Sequence, residues 1–186
     1  MLVVALFTEV GKYRIIKTSP ILPGAVRKDF QRVMANLTKI LDGVIRRGFP
    51  ELLREDIRIE FLNLHDSLLS YGELTHEGFY IEVDKTLRDA PENVFIGGIA
   101  HECAHIVVDM SKGRKALSGD ALAYRISSRY KTLDERNTDL EVILRGFGQE
   151  LLHFLRYSEQ LGLDHYREDG LSIREIEILL GESDDV

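Results

Sequence analysis

The chain has 186 residues, of which 44% are hydrophobic and 30% charged, a balance typical of one folded domain. Its formal net charge of −7 argues against the positive surface that nucleic acids and anionic membranes require. The single cysteine, Cys103, excludes an intrachain disulfide and any cysteine-rich zinc module. The apolar run Leu2–Phe7 is too short to cross a bilayer and lacks the pattern of a signal peptide. We therefore expect a cytoplasmic protein that binds neither nucleic acid nor membrane, and we leave its oligomeric state open.

The first half of the chain is patterned mainly for strands, with one helix among them. β-Branched residues and period-two alternation, interrupted once by helical spacing, define the elements. In chain order we predict strands at Leu2–Thr8 and Tyr13–Thr18, a helix at Ala25–Arg47, and strands at Ile57–Phe61, Leu69–Thr75 and Phe79–Val83. The last two strands should form a hairpin, because His76-Glu77-Gly78 between them is typical of a turn.

The second half is patterned for helices. Apolar residues at three- and four-residue spacing predict helices at Pro91–Met110, Gly119–Tyr130, Leu133–Arg145, Gln149–Leu161 and Ile173–Leu180. Ser172 and Glu175 are spaced as a capping box for the last helix. Because strands come early and helices late, we expect an α+β fold with a small mixed sheet and a mainly helical C-terminal half. We expect one domain over residues 1–186, with N-terminal strands and helix in 1–55, a catalytic core in 56–150 and C-terminal helices in 151–186.

One motif carries chemistry: His101-Glu102-Cys103-Ala104-His105 has the pattern H-E-x-x-H within an apolar helix. Residues four apart lie one turn apart on the same side of a helix, so both imidazoles can reach one zinc ion. Glu102 lies beside them, where it can take a proton from a metal-bound water and pass it to a leaving amine. A random shuffle of this composition gives roughly 0.02 such matches, so chance is a weak explanation. Gly97-Gly98, one turn earlier, predicts close packing of another backbone, which we expect to be a strand.

A catalytic zinc site needs a third protein ligand and one open position. A histidine six residues after His105 is excluded because that position holds Ser111, and Cys103 points to the far side of the same helix. A carboxylate from a later helix remains. Glu135 and Asp139 are four apart and share a face, so one can bind the metal while the other accepts a hydrogen bond from a ligand histidine. We favour Glu135 as the ligand because two histidines and one glutamate form an established catalytic set. An acidic, solvated helix face is the alternative.

Together the two motifs, His101–His105 and Glu135-x-x-Thr138-Asp139, resemble those of the gluzincin metallopeptidases, the thermolysin-like clan. The resemblance covers about residues 79–150. It implies a zincin-like fold with an active-site helix, a Zn²⁺ cofactor, and hydrolysis of peptide bonds in a peptide or protein substrate. By this resemblance the metal ligands are His101, His105 and Glu135, the general base is Glu102, and the partner of a ligand histidine is Asp139. The family also has an edge strand beside the active-site helix, along which an extended peptide pairs, and Phe79–Asp84 matches it in chain order.

The oxyanion-stabilising residues of that family have no match in this sequence. By chemistry alone the candidates are Tyr124, Tyr130, His153 and Tyr157. Two alternatives to a peptidase stay open. One is a zinc-binding protein with little catalysis, in which residues 1–55 block the cleft or the metal only joins the two motif helices. The other is a protein without metal, in which the histidines and the glutamate of the first motif form a hydrogen-bonded core cluster.

Overall fold

A computed structural model describes the backbone of residues 5–10, 13–18, 24–64, 67–74, 78–112, 123–163 and 169–182, and side chains from residue 33 on except Leu74. The strands are β1 (Ala5–Val10), β2 (Tyr13–Thr18), β3 (Ile57–Leu62), β4 (Leu69–Leu74) and β5 (Gly78–Asp84). The helices are α1 (Gly24–Gly48), α2 (Glu92–Lys112), α3 (Ser128–Val142), α4 (Gly148–Gln160) and α5 (Ile173–Leu179). Short 3₁₀ turns lie at Pro50–Arg54 and Lys85–Leu87. This order confirms the α+β prediction.

The second sheet is small and mixed, as predicted. β5 pairs in parallel with β3 and antiparallel with β4, while β1 and β2 form a separate antiparallel pair. The pairing of β4 with β5 agrees with the predicted hairpin, whose turn at residues 75–77 lies outside the described residues. The prediction that Phe79–Asp84 is an edge strand is wrong, because this segment is the central strand of the order β3-β5-β4. Phe79, Ile81 and Val83 of β5 are buried, whereas β4 carries an exposed Glu73, a residue suited to an edge.

α2 lies at the centre of the hydrophobic core, and two glycines set how closely its neighbours approach. A Cβ on Gly97 would lie 2.1 Å from the carbonyl oxygen of Glu150 in α4. A Cβ on Gly98 would lie 2.8 Å from a methyl carbon of Leu69 in β4. Close approach of another backbone to the glycine pair is therefore confirmed, but that backbone belongs to a helix. The absence of a side chain indicates only that a neighbour is near and does not reveal its secondary structure.

The hydropathy of α2 invites comparison with a membrane span. Within the described residues, α2 is the helix whose length and composition would suffice to cross a bilayer. However, 67% of its apolar window is buried inside the protein. It also holds His101, Glu102 and His105, each no more than 7% exposed. These are the features of a core helix that carries a buried polar site.

The boundary before α3 differs from the prediction. We predicted a break between Tyr130 and Leu133, but α3 runs without interruption through these residues. Helical residues 123–126 end instead at Ser127, whose backbone is extended with φ −123° and ψ 103°. The Ser127 hydroxyl accepts a hydrogen bond from the amide of Tyr130 at 3.2 Å, so Ser127 is the N-cap that starts α3. Residues 113–122, which include the start of the helix predicted at Gly119–Tyr130, lie outside the described residues.

Two later boundaries follow the sequence signals. A π-helical turn at Ile143–Phe147 separates α3 from α4, and Gly146 within it has a positive φ of 84°. α5 begins with the predicted capping box, in which Ser172 and Glu175 bond each other's backbone amides. α3 and α4 pack against α2, and α5 packs against α4. This packing presents α3 to the H-E-x-x-H motif.

Candidate metal centre

The H-E-x-x-H motif of α2 meets the acidic side of α3. Nε2 of His101 lies 3.2 Å from Oε2 of Glu135, and Nε2 of His105 lies 3.7 Å from the same oxygen. The two Nε2 atoms are 3.1 Å apart. Within the part of the chain that the structure describes, these three residues form the group whose ligand atoms could surround one ion, all within 4.8 Å of one another. The structure thus brings together the three residues that the sequence analysis named as ligands.

The spacing of these atoms fits a zinc ion. Zinc binds histidine nitrogen and carboxylate oxygen at about 2.0–2.2 Å, which places tetrahedral ligands about 3.3 Å from one another. The three separations of 3.1, 3.2 and 3.7 Å are close to that value. Two imidazoles and one carboxylate also form the donor set of known catalytic zinc sites. The residues present therefore fit the metal without rearrangement of either helix.

The remaining ring nitrogen of His101 is held by a buried carboxylate. Nδ1 of His101 lies 3.0 Å from Oδ1 of Asp139, which has no exposed surface. The other oxygen of Asp139 accepts a hydrogen bond from the backbone amide of Leu171 at 2.8 Å. When Nδ1 of His101 donates its proton to Asp139, the lone pair of Nε2 is available to a metal ion. Asp139 thus has the position expected for the partner of a ligand histidine.

The remaining nitrogen of His105 is held differently. Its Nδ1 lies 3.2 Å from the hydroxyl oxygen of Thr138 and 3.6 Å from a carboxylate oxygen of Asp134. The Thr138 hydroxyl donates its own proton to the backbone carbonyl of Asp134 at 2.9 Å, so its oxygen is free to accept from Nδ1. When Nδ1 donates its proton to Thr138, the lone pair of Nε2 of His105 is available to a metal ion, as in His101. Thr138 belongs to the second motif, but the sequence spacing did not predict its contact with His105.

A tyrosine from the sheet completes the support of His105. The ring of Tyr71 in β4 stacks on the imidazole with centroids 5.1 Å apart and planes 12° apart. Its hydroxyl donates to Asp109 at 2.8 Å. No local pattern singles out Tyr71, because it lies in an unremarkable strand far from both motifs in sequence. Only the strand order, which brings β4 against α2, places it in the site.

The ligand carboxylate is held in its ionised form. Burial alone would raise the pKa of Glu135, but in the metal-free cluster hydrogen bonds and charge from protonated His101 and His105 outweigh burial and hold the pKa well below its usual range. The hydroxyl of Tyr124 donates to the other oxygen of Glu135. One oxygen of Glu135 therefore faces the histidines, while a phenol fixes the other.

Glu102, next to His101 in the sequence, is buried at 7% exposure. Burial, together with neighbouring carboxylates that include Glu102, raises the pKa of both Tyr71 and Tyr124. Both phenols therefore keep their protons at neutral pH.

The other sequence candidates separate clearly in the structure. Of the four proposed oxyanion residues, Tyr124 reaches the cluster through Glu135. Tyr157 instead packs against the hydrophobic core, and His153 is exposed on α4. Cys103 is fully buried, and burial raises the pKa of its thiol, as expected of a core residue.

Comparison of the chain with protein-family models, curated proteins and solved structures finds no match. The resemblance to gluzincins accordingly rests on the two motifs and on the placement of their residues. Membership of that family stays a prediction.

Proposed function

We propose that the protein is a zinc-dependent metallopeptidase with a zincin-like, gluzincin-type site. The observation that carries this proposal is the cluster of His101, His105 and Glu135, whose ligand atoms are spaced as around one tetrahedral ion. The H-E-x-x-H motif supplies a glutamate beside the cluster, which a purely structural zinc site does not need. In zinc sites a carboxylate commonly accepts a hydrogen bond from the ring nitrogen of a ligand histidine that does not bind the metal. Asp139 makes this contact with Nδ1 of His101.

The residues around the cluster suit hydrolysis of an amide. Zinc, when bound, supplies Lewis acidity to the scissile carbonyl and lowers the pKa of a bound water. Glu102 removes the proton of the attacking water and passes it to the leaving amine. Tyr124, whose phenol is protonated and already reaches the ligand carboxylate, is the best placed of the four candidates to donate to the developing oxyanion.

An extended peptide would pair with β4 rather than with β5. β4 lies against α2, and within the described residues no strand pairs with its outer edge. Tyr71 on this strand contacts His105, so the edge adjoins the cluster. Addition of a peptide as a further strand would bring its backbone past the metal.

One observation favours a second candidate, a zinc-binding protein with little catalysis. Both ligand histidines are deeply buried, with exposures of 7% for His101 and 6% for His105. A buried ion that joins α2 to α3 would contribute mainly to folding stability. Removal of the metal would then lower the melting temperature strongly, although no peptide is cleaved.

Metal content and activity measured together test the proposal. Elemental mass spectrometry of tag-free protein purified without added metal should find about one zinc per wild-type chain and clearly less in Glu135→Ala. Glu141→Ala, on the same helix but outside the cluster, is the matched control and should retain the metal. A peptide library should be cleaved by the zinc-loaded wild type. Wild-type protein that neither carries nor takes up zinc would defeat the proposal, and zinc without cleavage would favour the second candidate.

A further inference from the structure

We propose that the C-terminal segment from Asp169 to Leu179 is a positioning element of the metal site, acting through the backbone amide of Leu171. This inference rests on the proposed zinc site and goes beyond it, because neither motif includes this segment. It makes the affinity for the metal depend on how the end of the described chain docks against α3.

The connection runs through one buried carboxylate. The amide of Leu171 donates to Oδ2 of Asp139 at 2.8 Å, and Oδ1 of Asp139 lies 3.0 Å from Nδ1 of His101. Asp139 has no exposed surface, so water cannot replace either partner. Loss of the Leu171 amide would remove one of the hydrogen bonds that orient the carboxylate of Asp139 towards His101. The orientation of a metal-ligand imidazole therefore depends on a main-chain group 32 residues beyond Asp139.

An ion pair on the far side of Leu171 holds the segment against α3. Arg136 forms two hydrogen bonds to the carboxylate of Glu175, at 2.6 and 3.2 Å, and a longer one to the carbonyl of Gly170 at 3.4 Å. Glu175 also accepts hydrogen bonds from the amide and hydroxyl of Ser172 in the capping box. The guanidinium of Arg136 therefore binds the start of α5, which lies just after Leu171, the residue whose amide donates to Asp139.

A second contact holds the other side. Asp169 accepts a hydrogen bond from the hydroxyl of Thr132 at 2.9 Å and pairs with Lys131 at 2.6 Å. The side chain of Leu171 itself is 5% exposed and belongs to the hydrophobic core. Contacts before, at and after Leu171 thus fix its amide. Those before and after come from the same helix that carries Glu135 and Asp139.

The charge of Arg136 makes a decisive test possible. A guanidinium near a cation site repels the cation. If charge were the only effect of Arg136, removing Arg136 should strengthen zinc binding. If Arg136 acts by positioning, its removal should weaken zinc binding instead. We expect Arg136→Ala to bind zinc about two- to fivefold more weakly in competition with a chromogenic chelator, a loss typical of one exposed ion pair. Arg174→Ala, which removes an exposed arginine from α5, is the control and should bind as the wild type does.

A second pair of variants isolates the amide. Leu171→Pro removes the donor, whereas Leu171→Ala keeps the donor and removes most of the same side chain. Gly170 precedes this position and tolerates a following proline. We expect Leu171→Pro to bind zinc about tenfold more weakly than Leu171→Ala, and the visible absorption of its cobalt-substituted form to change. Circular dichroism and the melting temperature of the metal-free proteins show whether both variants fold. If Leu171→Pro does not fold, the result for Arg136→Ala tests the positioning role.

The outcomes separate this inference from the proposed function. Unchanged or tighter zinc binding in Arg136→Ala overturns the positioning role, as does equal binding by the two folded Leu171 variants. In either case wild-type zinc binding would leave the proposed function standing. Wild-type protein that binds no zinc would defeat both.

Discussion

Two successive turns of α2 meet the C-terminal helices in contrasting ways. The glycine turn, Gly97-Gly98, lets the main chain of α4 approach so closely that a single methyl group would collide with it. The histidine turn, His101–His105, meets α3 through polar side chains whose ring nitrogens are each matched to an oxygen. The glycine turn therefore supports close packing, and the histidine turn forms part of the candidate metal site. Substitutions in the two turns should affect different measured properties.

The largest effect is expected beside the histidine turn. Glu102→Gln should lower peptide hydrolysis by about 10²- to 10⁴-fold, because the amide cannot accept the proton of the attacking water. That loss corresponds to about 3 to 5 kcal/mol of activation free energy. Zinc content and melting temperature should stay close to wild type. Glu92→Gln, at the start of the same helix, serves as the control, and hydrolysis at the wild-type rate by zinc-loaded Glu102→Gln would exclude Glu102 as the base.

Substitutions in the glycine turn should instead change the free energy of unfolding. Gly97→Ala places a Cβ 2.1 Å from the carbonyl oxygen of Glu150, a main-chain atom that cannot rotate away. We expect the free energy of unfolding of the metal-free protein to fall by about 3 kcal/mol, measured by urea denaturation. Gly43→Ala makes the same change in α1 with nothing within 4 Å, and should stabilise by about 0.5–1 kcal/mol. Equal effects of the two substitutions would contradict the close contact.

The carboxylates that contact His101 and His105 should differ in how much they contribute to zinc affinity. Asp139→Ala should weaken zinc binding by about 10- to 100-fold, because it leaves Nδ1 of His101 without its buried acceptor. Asp134→Ala should have a smaller effect, since Asp134 is 3.6 Å from His105 and its side chain is 23% exposed. Chelator competition on the two variants gives the comparison directly. Similar losses for both would mean that the two histidines are held alike.

The smallest effect should appear in the acid stability of the C-terminal segment. Hydrogen bonds from Arg136 and Ser172 lower the pKa of Glu175 from 4.5 to about 2. Because the folded-state pKa is lower, ionised Glu175 stabilises the protein above pH 4.5, and this contribution is lost as the pH falls towards 2. Glu175→Gln should therefore flatten the decline of unfolding free energy over this range, slightly, since both partners are exposed. Parallel profiles for the wild type and Glu175→Gln would contradict the prediction.

Features fixed by neighbouring residues could be predicted from the sequence. The H-E-x-x-H turn, the capping box at Ser172 and the break around Gly146 all depend on contacts within a few positions. Helix geometry alone also placed Glu135 and Asp139 on one face. Two turns of regular helix are enough to make such spacing informative.

Features fixed by distant contacts could not be predicted. β5 occupies the centre of its sheet because β3 and β4 both pair with it, and its own alternating pattern does not reveal those long-range pairings. Tyr71 enters the site only through that strand order. The donor to Asp139 is a backbone amide, a group that every residue except proline carries, so no residue type at position 171 could have indicated it.

The two tyrosines at the cluster have a practical consequence. The chain has no tryptophan and seven tyrosines, so its intrinsic fluorescence comes from tyrosine alone. One of these rings, Tyr71, stacks on His105, and another, Tyr124, donates its hydroxyl proton to Glu135. A metal ion bound by His105 and Glu135, as proposed, would alter the surroundings of both phenols. Tyrosine fluorescence is therefore expected to report binding of a metal to the cluster in solution without any label.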